Sequence, residues 1–301
     1  MEETEPLQVL LTELRRLRAE GVETVPLSAE SVDILRAVKG QPKIVAPSPL
    51  TTPAKPLAEY KRDPLVVPAF PKPRTPVGKV DDSAIPEPPN VNLPTGLNKS
   101  AQMAALEEIV KACAECQRHL GKAKPLIFGA GNLDAEILFV GEAPTEDDEY
   151  ENKSFAGENG QLLEKALKAM GLARENIYTT YVMKWRPETP TGFGSRTPTP
   201  RELAFCLPYL RAQLAVIKPK VVVALGGTAL HALTGDFTKR ITDERGRWHT
   251  VEGRDVIATF HPSYLLKNPS QTPKRHFWED LLAVMEKTGM PISEKQRGFF
   301  R

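Results

Sequence analysis

Cysteine is scarce in this chain. Three in 301 residues is too few, and an odd number, for a disulfide framework, which points to a reducing compartment. Long apolar runs are missing as well: none nears the roughly 20 residues of a membrane span. The opening Met1-Glu2-Glu3-Thr4-Glu5 is acidic and lacks the basic start of a secretory signal. These absences predict a cytoplasmic protein with no membrane partner. Net charge is slight, at +2, so bulk charge gives no argument for a polyanionic ligand. A glycine-rich phosphate loop is also lacking. Gly226-Gly227 has the turn without the fuller fingerprint, which ranks a nucleotide-binding metabolic enzyme last. No internal repeat is evident, and a monomer is expected.

What is present is unevenly spread. Fourteen of the 28 prolines fall within residues 40–100. Proline removes backbone donors and pushes its neighbour toward extended forms, so this stretch reads as a disordered linker. Before it, Leu7, Leu10, Leu11, Leu14 and Leu17 have the spacing of a helix over 5–20, and a second helix is expected over 28–38 behind Ser28. Residues 1–39 thus form a small helical segment, either a terminal hairpin or a docking element for a protein partner. The main domain is expected over 101–290, followed by a basic tail at 291–301.

Within the main domain, apolar β-branched runs alternate with helical patterns. Strands are predicted at 137–140, 177–182 and 221–225, and a pair at 248–251 and 255–260. Helices are predicted at 103–111, 160–170, 201–216, 228–233 and 274–287. The alternation implies an α/β fold, a three-layer α/β/α sandwich around a central, mainly parallel four-stranded sheet. In such sheets the loops leaving the carboxyl ends of strands converge on one edge, where ligands bind.

Two short loops belong to that edge. Gly141-Glu142-Ala143-Pro144 follows the strand at 137–140, and His261-Pro262-Ser263 follows the one at 255–260. They supply a carboxylate, an imidazole and small residues that let a substrate approach the backbone. Those parts suit the expulsion of a poor leaving group from a sugar. Residues 184–220 carry seven Lys/Arg against two Asp/Glu, and 267–301 carry seven against four, whereas 142–158 is acidic with Lys153 its one base. A basic rim around an acidic pocket suits a site that grips phosphates, although ordinary surface charge reads the same way. Taken singly, Glu142 could face solvent, and His261 and Phe155 could be core residues.

The segments together resemble the uracil-DNA glycosylase superfamily, nearest to its family 4, the iron–sulfur type. The resemblance rests on Cys-Ala-Glu-Cys at 113–116, Gly-Glu-Ala-Pro at 141–144, Ser-Phe-Ala-Gly at 154–157 and Gly-Gln-Leu-Leu at 160–163. It continues through Lys-Trp-Arg-Pro at 184–187, Pro-Arg-Glu at 200–202, Cys-Leu-Pro at 206–208, Leu-Gly at 225–226 and His-Pro-Ser-Tyr-Leu-Leu at 261–266. It implies a DNA base glycosylase. Glu142 would position or stabilise the attacking water, and His261 would stabilise the departing base. Phe155 would stack on a base flipped out of the helix, in a pocket bordered by Gly141, Ala143 and Pro144. Pro262, Ser263, Lys267 and Arg186 would lie along the DNA backbone. The DNA substrate implies association with the nucleoid.

Two departures from the family bear on what the resemblance implies. Family 4 holds a 4Fe–4S cluster on four cysteines. Cys113, Cys116 and Cys206 match three, while Trp185 occupies the fourth position and cannot ligate iron. The expected arrangement is three plain thiols with Trp185 filling the cavity. A zinc site completed by His119, at poor spacing, and an intact cluster are the alternatives; the chemistry itself requires no cofactor. The second departure is Tyr181, where the family has an asparagine whose amide reads the uracil edge. A tyrosine hydroxyl cannot reproduce that two-point contact, which puts uracil specificity in doubt. Thr145, where the family has glycine, adds bulk beside the pocket. Retention of Glu142 and His261 favours an active glycosylase for uracil or another damaged base. The alternative is a catalytically weak DNA-binding accessory on the same scaffold.

Overall fold

A computed structural model describes residues 82–120, 124–187 and 195–300. The helices expected within 1–39, and the linker as far as residue 81, lie outside the described residues. Along the described chain run α1 (Lys99–Ala112), α2 (Ala114–Leu120), β1 (Ala130–Gly131), β2 (Ile137–Gly141), α3 (Glu146–Glu151), α4 (Gly157–Met170) and β3 (Tyr178–Tyr181). They continue with α5 (Pro200–Ile217), β4 (Val221–Leu225), α6 (Gly227–Thr234), α7 (Ile241–Glu244), β5 (Trp248–Val251) and β6 (Arg254–Thr259). Helices α8 (Pro262–Lys267), α9 (Gln271–Lys287) and α10 (Glu294–Arg297) complete the order.

The strands form one sheet in the order β1-β3-β2-β4-β6-β5. Its four central strands are parallel, as the alternating pattern implies, and β1 and β5 add antiparallel edges. The edge β1 is two residues long, too short to leave a pattern in the sequence. Strands β5 and β6 are joined across Glu252 (φ 50°) and Gly253 (φ 76°), the left-handed pair of a tight hairpin turn.

Side chains on a strand alternate between faces, and the core divides accordingly. Leu138, Val140, Val222, Ala224, Val256 and Ala258 face a layer built by α1, α2, α5 and α6. Ile137, Phe139, Val221, Val223, Leu225 and Ile257 face a layer built by α4 and α9. Burial on both faces explains why these strands read as continuous apolar runs rather than alternating ones.

Both flanks of the domain are docked. Ile85 is buried, and Val91 and Leu93 pack against the first layer, so the last part of the Pro-rich stretch belongs to the fold. Apolar anchors outweigh proline's local preference there. The segment expected as a basic tail contains α10. Trp278 Nε1 donates to the Gln296 carbonyl at 2.7 Å, and Gln296 Nε2 donates to the Ala169 carbonyl at 2.8 Å. Among the described residues, no helix is long and apolar enough to cross a membrane.

Candidate active site

The strand order reverses beside β2: β3 lies on one side of it, and β4 and then β6 lie on the other. Such a reversal opens a crevice at the carboxyl ends of the strands. Glu142, Gly226 and His261 follow β2, β4 and β6 there.

Three contacts draw these loops together. The Gly141 and Glu142 carbonyls accept the Val182 and Met183 N–H groups, each at 3.0 Å, tying the loop after β2 to the chain after β3. Thr228, in the first turn of α6, lies close enough to the Glu142 carboxyl to favour its charged form. Gly226, which caps that helix at φ 94°, lies against His261: a Cβ there would stand 3.3 Å from the His261 Cβ. A side chain at Gly226 would strain the turn and crowd the imidazole. Glu142 and His261 are thereby gathered at one edge.

Burial raises the Glu142 carboxyl above its ordinary value, and the Thr228 hydrogen bond opposes the rise. His261 is pushed the other way, down to about 4, chiefly by burial and secondarily by the Lys267 charge. The imidazole is therefore neutral at physiological pH. It is also the N-cap of α8, whose first residue is Pro262. The Ser263 N–H donates to His261 Nδ1 at 3.1 Å, and Ser263 Oγ lies 2.8 Å from the same nitrogen. A backbone N–H can only donate, so Nδ1 is an acceptor and the ring proton resides on Nε2. The imidazole is a neutral donor of fixed orientation.

The Ser154-Phe155-Ala156-Gly157 segment supplies an aromatic wall. Phe155 adopts φ 53°, a conformation costly for a bulky residue. Gly157 (φ 56°) and Gly160 follow, and a Cβ on Gly160 would collide with the Phe155 carbonyl at 1.8 Å. The Phe155 ring stacks on Tyr181 at 4.8 Å and lies 6.3 Å from His261. Phe155 and Tyr181 are each 1% exposed, so both rings are covered by their neighbours.

The remaining expected residues separate. Pro144 is buried and Ala143 packs against the first core layer. Lys267 is exposed in the last turn of α8, open to a phosphate. Arg186 is a correction: it is 7% exposed and its Nε donates to Glu149 at 2.8 Å, so its charge is spent inside the protein. Thr145 caps α3 in a reciprocal box with Asp148. Sequence reasoning passed over Asp148, Arg174 and Thr228. The Thr-x-x-Asp spacing was a signal for the first; the other two depend on contacts made only in the fold.

The cysteines lie with the first core layer, across the sheet from Phe155 and Tyr181. Cys116 and Cys206 are buried and Cys113 is partly so. Burial raises the Cys206 thiol to about 12 and that of Cys116 further still. Trp185 is 1% exposed and packs among them, stacked on His119 at 4.3 Å. Its Nε1 is buried without a partner. His119 Nε2 lies 2.9 Å from Glu115. Among the described residues, no group of three or more His, Cys, Asp or Glu side chains is arranged to hold a metal ion. The donor set does not fit a four-thiolate cluster.

The sequence model of the Uracil DNA glycosylase superfamily matches residues 128–282. A type-4 uracil-DNA glycosylase of Thermotoga maritima is 42% identical over 182 residues, covering 60% of this chain and 91% of that protein. One from Archaeoglobus fulgidus is 38% identical over 177 residues, covering 56% and 86%. A DNA polymerase of Bacillus phage SP01 is 32% identical over 142 residues, covering 47% of this chain but 15% of its own length.

Proposed function

The chain belongs to the Uracil DNA glycosylase superfamily, and from that membership we propose that it hydrolyses the N-glycosidic bond of uracil in DNA. The observation that carries the reading is the pairing of a carboxyl with a neutral, fixed imidazole at one sheet edge. As the bond breaks, positive charge gathers on the sugar and negative charge on the base. The Glu142 carboxylate stabilises the first and orients the water that adds at C1′; His261 Nε2–H stabilises the second by donating to a base carbonyl. The products are a free base and an abasic site. Phe155 walls the base, with Pro144 behind it, while Pro262, Ser263 and Lys267 meet the DNA backbone.

Incision of labelled oligonucleotides carrying uracil, hypoxanthine or xanthine, single-stranded and paired, tests the proposal. Glu142→Ala and His261→Asn should each lower cleavage about 10²-fold or more. Asparagine retains the helix cap, which separates loss of chemistry from loss of fold. Retention of full activity in either variant refutes the assignment. The covered state of Phe155 and Tyr181 favours a second reading, a DNA-binding protein of low catalytic power. Binding without an abasic product on any of these substrates would establish it.

The protein works without an iron–sulfur cluster, a view supported by Trp185 and by the mismatch of the donor set. It acts as a cytoplasmic monomer at the nucleoid.

A further inference from the structure

We infer that Tyr181 is a positioning residue, which holds the Phe155 wall from beneath and does not read the edge of the base. The inference rests on the glycosylase reading above. It begins with the register of the sheet, where Tyr181 ends β3 directly beside Gly141, the last residue of β2. A Cβ on Gly141 would stand 2.7 Å from two ring carbons of Tyr181 and 2.8 Å from Phe155 Cζ, so only glycine lets both rings reach the loop that carries Glu142.

The hydroxyl is engaged on both sides. It donates to Asp148 Oδ2 at 2.8 Å and accepts the Phe155 N–H at 2.8 Å. The buried Asp148 carboxylate also takes the Thr145 N–H at 2.6 Å, the Thr145 hydroxyl at 2.9 Å and the Ala156 N–H at 2.7 Å. From the opposite side the Arg174 guanidinium donates to the Ser154 carbonyl at 2.6 Å and to the Phe155 carbonyl. A phenol has one proton, and here Asp148 has it. No donor remains to satisfy a base carbonyl.

These bonds hold Phe155 in its left-handed conformation. Without them a bulky residue at φ 53° reverts to extended or helical backbone, and the ring leaves the wall. Tyr181 and Asp148 thus order a pocket element while touching no substrate.

Steady-state cleavage of uracil in single-stranded DNA tests this with the full chain, comparing the native protein, Tyr181→Phe, Phe155→Ala and the double variant. Tyr181→Phe should raise KM about tenfold, the scale of one base–aromatic contact, with kcat little changed. Against a Phe155→Ala background the same change should add nothing, because both variants act through one ring. The ratio of uracil to 4-thiouracil cleavage, which differs only at the base edge, should not move. If Tyr181→Phe fails to fold, Asp148→Asn weakens the same clamp and should give the same rise in KM. An unchanged KM in folded protein, an additive double variant, or an altered 4-thiouracil ratio overturns the inference. So does a gain in kcat/KM for Tyr181→Asn, which would mean that the ring fills the pocket. Absence of product from the native protein is a different failure, that of the glycosylase reading itself.

Discussion

The two faces of the sheet answer the same family pattern differently. On the face built by α4 and α9, Phe155 packs against Tyr181 and lies 6.3 Å from His261, whose Nδ1 accepts the Ser263 N–H. On the opposite face Trp185 stands where the family has its remaining cysteine, its indole stacked on His119 and tilted against Phe205 at 6.0 Å. Groups that meet the reacting bond have no substitute of another shape. A structural staple does, because apolar packing and metal ligation both hold chain segments together. The proposed assignment makes reactivity and scaffolding separable in this domain.

The largest test of that separation is Trp185→Ala. Removing a buried indole should cost about 3–5 kcal/mol, seen as a fall of roughly 10 °C or more in Tm. Trp185→Phe should cost far less, because it also removes a buried donor that has no partner. Both variants, where folded, should cleave with native KM. Bound iron in stoichiometric amount in the native protein, measured by metal analysis, would reverse the comparison.

A smaller effect sharpens the active face. The proposed mechanism needs the Glu142 carboxylate, and burial raises its pKa above the ordinary 4.5, so kcat/KM should fall as pH drops through a value above 4.5. His261 remains neutral down to about 4 and does not set that limb. Thr228→Val removes the bond that opposes the shift and should move the limb to higher pH. An acid limb at or below 4.5 would contradict the assignment. The smallest expected change is for Lys267→Ala, which should reduce the slope of log K against log salt for DNA binding by about one unit.

The parallel strands were legible because each is a short, continuous apolar run between turn residues, the mark of a strand covered on both sides. The site loops were legible because each follows such a run. Asp148, Arg174 and Thr228 were not: each is polar and sequence-distant from its partner, and only the fold brings them together. Arg186 was misplaced for a related reason. A cation in a basic stretch reads as a phosphate contact until its carboxylate partner, 37 residues away, is seen. Ile85 and Gln296 show the same limit at the flanks, where docking depends on a surface made elsewhere in the chain.

Turning the His261 ring over breaks its cap on α8, which favours one division of duties between its two nitrogens. Proton and recipient must meet along a single line. In the role proposed for His261, a nucleobase entering at another tilt finds no donor, however well it fits, and selection among lesions is to that extent a matter of aim.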